Sequence, residues 1–194
     1  MLGNILLVVL DAVFGFITMM LLARFFMQWL RVSFRNQIGQ FVVATTDWVV
    51  RPLRRVIPGL MGLDMASLLP AWLFQTLFVF IELVLRGVPL SSAGIGGLIV
   101  GLWGLGLLEL LRMALYLIFG VVMMSAILSW VNPHAPAASV FHNLAAPFLR
   151  PFRRILPPIA NVDLSPLVLL LILQIVLMVL GGLRANFASL LIGA

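Results

Sequence analysis

The chain has 194 residues, of which 63% are hydrophobic and 9% charged, with a mean hydropathy of +1.22. Charged side chains supply about a quarter of an ordinary soluble domain, so this composition excludes a soluble globule and makes lipid the solvent. The net charge is +6, all twelve basic residues are arginine, and there is no cysteine, which excludes disulfides, thiolate catalysis, iron–sulfur clusters and Cys-ligated zinc.

Apolar runs near 3–28, 68–85, 113–131 and 164–183 are each long enough for a helix to cross a hydrocarbon core of about 30 Å. The first run lacks a basic leader and carries Asp11 and Arg24, so it reads as a retained helix rather than a cleaved signal peptide. Charge inside a span is costly, which makes both residues functional candidates. Thirteen residues of helix, about 20 Å, keep them from pairing, and Arg24 is expected to snorkel toward the nearer interface.

The next segment, 29–67, holds Arg31, Arg35, Arg51, Arg54 and Arg55. Ile38, Phe41, Val42, Trp48, Val49, Leu53 and Val56 recur there at helical spacing, which predicts an amphipathic helix in the membrane interface. Pro52 is expected to break it, and Pro58 to stop any short turn that follows. Asp64 stands just before the second apolar run, where a carboxylate caps free amides; pairing with Arg54 or Arg55 is the sharper alternative. Gln75 lies within that run, where an amide normally joins helices. Glu82 and Arg86 at its end read as a local ion pair at the outer interface.

Segment 91–112 contains six glycines and the pair Glu109 and Arg112, also read as local, with a meeting of the two pairs across the chain as the lesser reading. A separate crossing here would place the following arginine-rich loop on the opposite side of the membrane. The segment is therefore expected to be a re-entrant or interfacial element whose glycines permit close packing.

Beyond it the chain repeats itself. Arg51-Pro-Leu-Arg-Arg-Val-Ile-Pro58 returns 99 residues later as Arg150-Pro-Phe-Arg-Arg-Ile-Leu-Pro157, and the same offset carries Asp64 onto Asp163 and Gln75 onto Gln174. Trp29 falls on Trp130 at an offset of 101. Val140, Phe141, Leu144, Phe148, Phe152 and Ile155 outline a second amphipathic helix, with Pro151 as its expected break and Pro157 as its stop. The expected organisation is a first repeat at 1–90, a connector at 91–112 and a second repeat at 113–194. It describes an all-α membrane protein with about four transmembrane helices in two parallel-oriented repeats. Arginines concentrate in the 29–67 and 131–163 loops, with only Arg86, Arg112 and Arg184 elsewhere near the ends of spans, so both loops are expected in the cytoplasm and both termini outside.

The duplicated Arg-Pro-x-Arg-Arg motif, followed each time by an aspartate and a small-residue helix start (Asp64-Met-Ala-Ser, Asp163-Leu-Ser-Pro), resembles the repeated signature of the YggT family over nearly the whole chain. The first copy departs from the fuller pattern, having Met65-Ala66 where the second has Leu164-Ser165-Pro166. The resemblance implies a multi-pass bacterial inner-membrane protein without established enzymatic activity. Members of the family are associated with osmotic stress tolerance, and plastid relatives with cytochrome assembly and nucleoid distribution.

No nucleophile–base pair, phosphate loop or paired-carboxylate constellation is visible, so no catalytic residue is assigned. His134 and His142 fit no ligand spacing, and neither a metal nor another cofactor is expected. The pI of 11.7 comes without a nucleic-acid recognition motif. The leading expectation is a non-enzymatic scaffold or assembly factor in which Arg51, Arg54, Arg55, Arg150, Arg153 and Arg154 bind anionic lipid or an acidic partner, a second copy or another membrane protein among them. The alternative is a small oligomeric channel or transporter for ions or osmolytes, with a path lined by Asp11, Thr18, Gln75 and Gln174.

Overall fold

A computed structural model describes residues 2–57, 59, 62–88, 94–155 and 163–192. The stops expected at Pro58 and Pro157, and residues 91–93 of the connector, lie outside them. Six helices follow one another: α1 (Leu2–Trp29), α2 (Gln37–Leu53), α3 (Met65–Leu85), α4 (Gly94–Val131), α5 (Ala138–Ile155) and α6 (Ser165–Ile192). Four of these, α1, α3, α4 and α6, are long and apolar enough to cross a membrane. Their outward residues, such as Val8, Leu77, Leu107 and Met178, are apolar, as contact with lipid requires.

The helix ends have local causes. α1 closes with Val32 N–H donating to the Met27 carbonyl (2.8 Å) and Arg31 N–H to the Gln28 carbonyl (3.1 Å), while Arg31 adopts φ 55°. α3 closes the same way, with Val88 N–H on Leu83 (3.1 Å), Gly87 N–H on Val84 (3.0 Å) and Gly87 at φ 69°. A glycine at this left-handed position is the usual solution, and an arginine there is not. α2 starts at Asn36, whose side-chain oxygen accepts from Gly39 N–H at 2.7 Å. Gly39 is required by the tight entry, since a Cβ would stand 2.6 Å from Phe34 Cα.

Two sequence expectations are corrected. Pro52 is the penultimate residue of α2, close to the predicted break, but α5 continues through both Pro147 and Pro151 to Ile155. These prolines are four residues apart and both exposed, as are Asn143 and Pro147 whose carbonyls they deprive of donors, so the missing bonds lie on the outer side of the helix and not in the core. The re-entrant or interfacial connector is not a separate element: residues 94–112 are the first half of α4, one continuous helix of 38 residues. At about 1.5 Å per residue it is about 57 Å long, nearly twice the hydrocarbon core, so the single helix supplies both the connector and the third span.

Each repeat is built alike, α1 packing on α2 and α3 as α4 packs on α5 and α6. The seam between repeats is not symmetric: α4 lies against both α3 and α1, whereas α1 and α6 scarcely touch among the described residues. Gly106 makes the α3–α4 approach possible, since a Cβ there would collide with the Thr76 side chain and come within 2.9 Å of Thr76 Cα. Trp72 and Trp103 meet beside it edge to face, with centroids 4.9 Å apart. The larger apolar core joins Met27 and Val42 of the first repeat to Val121, Val122, Leu144 and Leu149 of the second.

Candidate functional site: an arginine-rich face and a buried charge network

The turns after α1 and α4, the two amphipathic helices, and Asp64 and Asp163 before α3 and α6 lie on one face of the molecule. In each copy of the Arg-Pro-x-Arg-Arg motif the middle arginine reaches an aspartate ten residues on. Arg54 Nη2 donates to Asp64 Oδ2 at 2.5 Å and Arg54 Nε to Oδ1 at 3.3 Å. Arg153 Nε donates to Asp163 Oδ2 at 2.8 Å. The clasp fixes the exit of each amphipathic helix to the entry of the next apolar one.

The capping role expected of the aspartates holds at only one of them. Asp163 Oδ1 accepts from Ser165 N–H at 3.0 Å, whereas Asp64 makes no side-chain cap because its oxygens are taken by Arg54 and by the Ser67 hydroxyl (2.7 Å). Burial pushes the Asp163 carboxyl up, but Ser165 and Arg153 outweigh it and hold the group below the usual carboxylate range. Arg54 Nη2 also reaches Gln28 Oε1 (2.5 Å), which ties the first clasp to the end of α1.

A second buried tie holds each amphipathic helix to its long helix. Arg24, 7% exposed, does not snorkel into solvent: its Nη1 donates to Thr46 Oγ1 and to Asp47 Oδ1 of α2, both at 2.8 Å. The residue 101 positions on from Arg24 is Ser125, and its hydroxyl lies in hydrogen-bonding contact with His142 Nδ1 of α5 at 2.7 Å. His142 is therefore a structural partner in this contact.

Among the described residues, which include every charged side chain, six arginines pair with five of the six acids. The side chains of Arg31, Arg35, Arg51, Arg55, Arg150 and Arg154 make no hydrogen bond or ion pair there, and all six are exposed on the arginine-rich face. Each motif thus commits its middle arginine internally and leaves its first and last free. Arg51 and Arg55 line one cleft with Trp48 and Asp47.

The other acids gather toward the opposite end of the bundle. Glu82 accepts from Arg86 Nη2 and from Arg184 Nη2, each at 2.7 Å. Arg184 Nε also meets Glu109 Oε1, while Arg112 Nη2 is 2.9 Å from Glu109 Oε2. Glu82 and Glu109 are 9% and 2% exposed, so two local pairs read from spacing become one buried network joining α3, α4 and α6 through Arg184.

Residues 3–85 and 104–184 each match the CCB3/YggT family. The chain belongs to the CCB3/YggT family. It is 39% identical to the protein YggT of Escherichia coli (strain K12) over 174 residues, covering 89% of this chain and 87% of that one. A Vibrio alginolyticus protein from the proC 3′ region is 37% identical over 173 residues (89% and 91%), and a Pseudomonas aeruginosa protein 35% identical over 170 residues (86% and 84%). No solved structure matches the chain significantly. The two CCB3/YggT segments are the two structural repeats, with the second beginning inside α4.

The residues considered for a membrane path do not converge in this family member. Gln75, 1% exposed, donates from Nε2 to Thr18 Oγ1 at 3.0 Å and joins α3 to α1 in buried packing. Gln174 and Asp11 are exposed on α6 and α1, helices that barely meet. Sequence reasoning missed Asp47 and Arg184. Asp47 carried a usable signal, as an acid at the edge of the buried face of an amphipathic helix beside a span with an unpaired arginine.

Proposed function

We propose that this CCB3/YggT protein is a non-enzymatic scaffold or assembly factor of the bacterial inner membrane, with its arginine-rich face in the cytoplasm and both termini outside. Its surface arginines bind anionic lipid headgroups or an acidic partner, a second copy or another membrane protein among the candidates. The observation that carries this is the division within the duplicated motif: Arg54 and Arg153 are clasped, whereas Arg51, Arg55, Arg150 and Arg154 are left without a counter-charge. Uncompensated arginines on an amphipathic helix beside apolar spans suit phosphate oxygens, which guanidinium groups bind in bidentate fashion. Trp48, exposed beside Arg51 and Arg55, fits the headgroup level, where indole rings collect. Such a surface is consistent with the osmotic stress tolerance implied by the family resemblance.

The test compares thermal unfolding of wild type in phosphatidylglycerol and in phosphatidylcholine nanodiscs with that of the quadruple variant Arg51→Gln/Arg55→Gln/Arg150→Gln/Arg154→Gln. The expected result is a higher midpoint in the anionic disc for wild type, weakened by salt and abolished in the variant. Equal midpoints for wild type in the two lipids, together with no capture of an acidic partner, would sink the proposal.

A further inference from the structure

A groove follows the seam between the two repeats on the arginine-rich face. Its inner part is an apolar cavity of about 160 Å³, walled by Ala23, Leu30 and Val42 of the first repeat and by Ile118, Leu144 and Phe148 of the second. Leu30 also lines the adjoining cleft, of about 540 Å³, whose polar walls are Arg31 and Ser33 after α1 and Asn143 and Arg150 on α5. The geometry points to this groove as a binding site for one anionic phospholipid, its phosphate between Arg31 and Arg150 and an acyl chain in the apolar cavity.

This deepens the proposed lipid-binding role and rests on it. Three observations favour that occupant. Arg31 and Arg150 come from different repeats, share one cleft, and have no counter-charge among the described residues. A site for a free phosphate ester needs the cations alone, but here their cleft borders, at Leu30, a cavity lined by side chains with no polar group, which suits hydrocarbon. Arg31 also holds the left-handed position that closes α1, where the equivalent turn after α3 has Gly87. A guanidinium is kept at the mouth of the cleft against the backbone preference for glycine, the kind of local strain that marks functional positions.

Native mass spectrometry of the full-length protein in detergent, titrated with phosphatidylglycerol or phosphatidylcholine, tests the site. The expected result is one preferentially retained phosphatidylglycerol, with Arg31→Gly and Arg150→Gln each weakening it about tenfold or more, as loss of a charge-assisted hydrogen bond does. Arg31→Gly relieves the helix end, so its unfolding midpoint in phosphatidylcholine should stay level or rise, which separates lost binding from lost folding. Ala23→Leu, which fills the cavity without altering charge, should also weaken retention. Arg51→Gln/Arg55→Gln removes headgroup contacts outside the groove, so it should lower the number of loosely bound phosphatidylglycerols and keep the one retained in the groove.

If all these variants weaken binding equally, or none does while anionic preference persists, the attraction is diffuse: the groove site is overturned and the broader lipid-binding role stands. Absence of any anionic preference in wild type overturns both. Glycerol 3-phosphate binding as tightly as phosphatidylglycerol would make the occupant a soluble phosphate ester and overturn the lipid assignment.

Discussion

Arg54 and Arg153 occupy the same place in the two motifs, yet their aspartates sit in different surroundings, and the consequences should differ. Asp64 is 4% exposed and loses its main cation when Arg54 is removed, whereas Asp163 is 37% exposed and water compensates it. Arg54→Gln is expected to cost about 2–3 kcal/mol, and Arg153→Gln less than about 1 kcal/mol, in chemical unfolding of the detergent-solubilised protein. The second clasp should be visible through pH instead. Because the folded Asp163 carboxyl lies below its ordinary value of about 3.9, its contribution is present above that pH and disappears as pH falls through the folded pKa. The difference in unfolding midpoint between wild type and Asp163→Asn should therefore hold steady from neutral pH down to about 4 and close below it. A gap that widened in acid would refute the clasp. The arginine–aspartate pairing was open to sequence reasoning because motif and acid recur together ten residues apart. The loss of capping at Asp64 was not, since it depends on where Ser67 places its hydroxyl.

At the scale of helices, glycine content was misleading about continuity and informative about packing. Six glycines between 94 and 106 weaken a helix, yet α4 runs unbroken across them, as a helix does where water is scarce and backbone groups must be satisfied within the segment. The close approach foreseen for these glycines is made by Gly106 against Thr76, so position rather than composition decides the effect of substitution. Gly106→Ala should lower stability by about 1–3 kcal/mol through overpacking, while Gly96→Ala, which meets nothing within 4 Å, should be neutral or gain up to about 1 kcal/mol from helix propensity. Parallel thermal melts of the two variants are the check; equal losses would show that α3 and α4 are not in this contact. The paired glutamines show where a repeat stops being a guide. Gln75 faces Thr18, whereas the residues 98 to 101 positions on from Thr18 are Tyr116, Leu117, Ile118 and Phe119; the Tyr116 hydroxyl does not bond to Gln174, which is exposed and makes no side-chain hydrogen bond among the described residues. Gln75→Leu should cost about 1 kcal/mol in the same melts, and Gln174→Leu nothing.

Across the whole molecule, duplication explains the interior of each repeat, and its failure explains how the repeats are joined. Arg184 lies 98 positions after Arg86, but the second repeat has Leu180 and Gly181 where a counterpart of Glu82 would stand. With no acid one turn before it, Arg184 reaches Glu82 of the first repeat and Glu109 of α4, contacts beyond the range of helical spacing and therefore hidden from a reading of local pairs. It binds two buried carboxylates at once, so its loss should be far more damaging than that of Arg86, which is 62% exposed. Arg184→Leu is expected to destabilise by about 3–5 kcal/mol, because a buried carboxylate is left undercompensated, and Arg86→Leu by under about 1 kcal/mol. Replacing a buried pair together by apolar groups is often neutral, so Glu109→Leu added to Arg184→Leu should recover much of the loss, with Glu82 still held by Arg86. Unfolding of the single and double variants in one detergent decides the matter. Recovery in the double variant would show that the single variant fails because Glu109 is left buried without its main cation. Losses that simply add would show that the two side chains act independently, leaving the apolar seam of α3 and α4 to join the repeats.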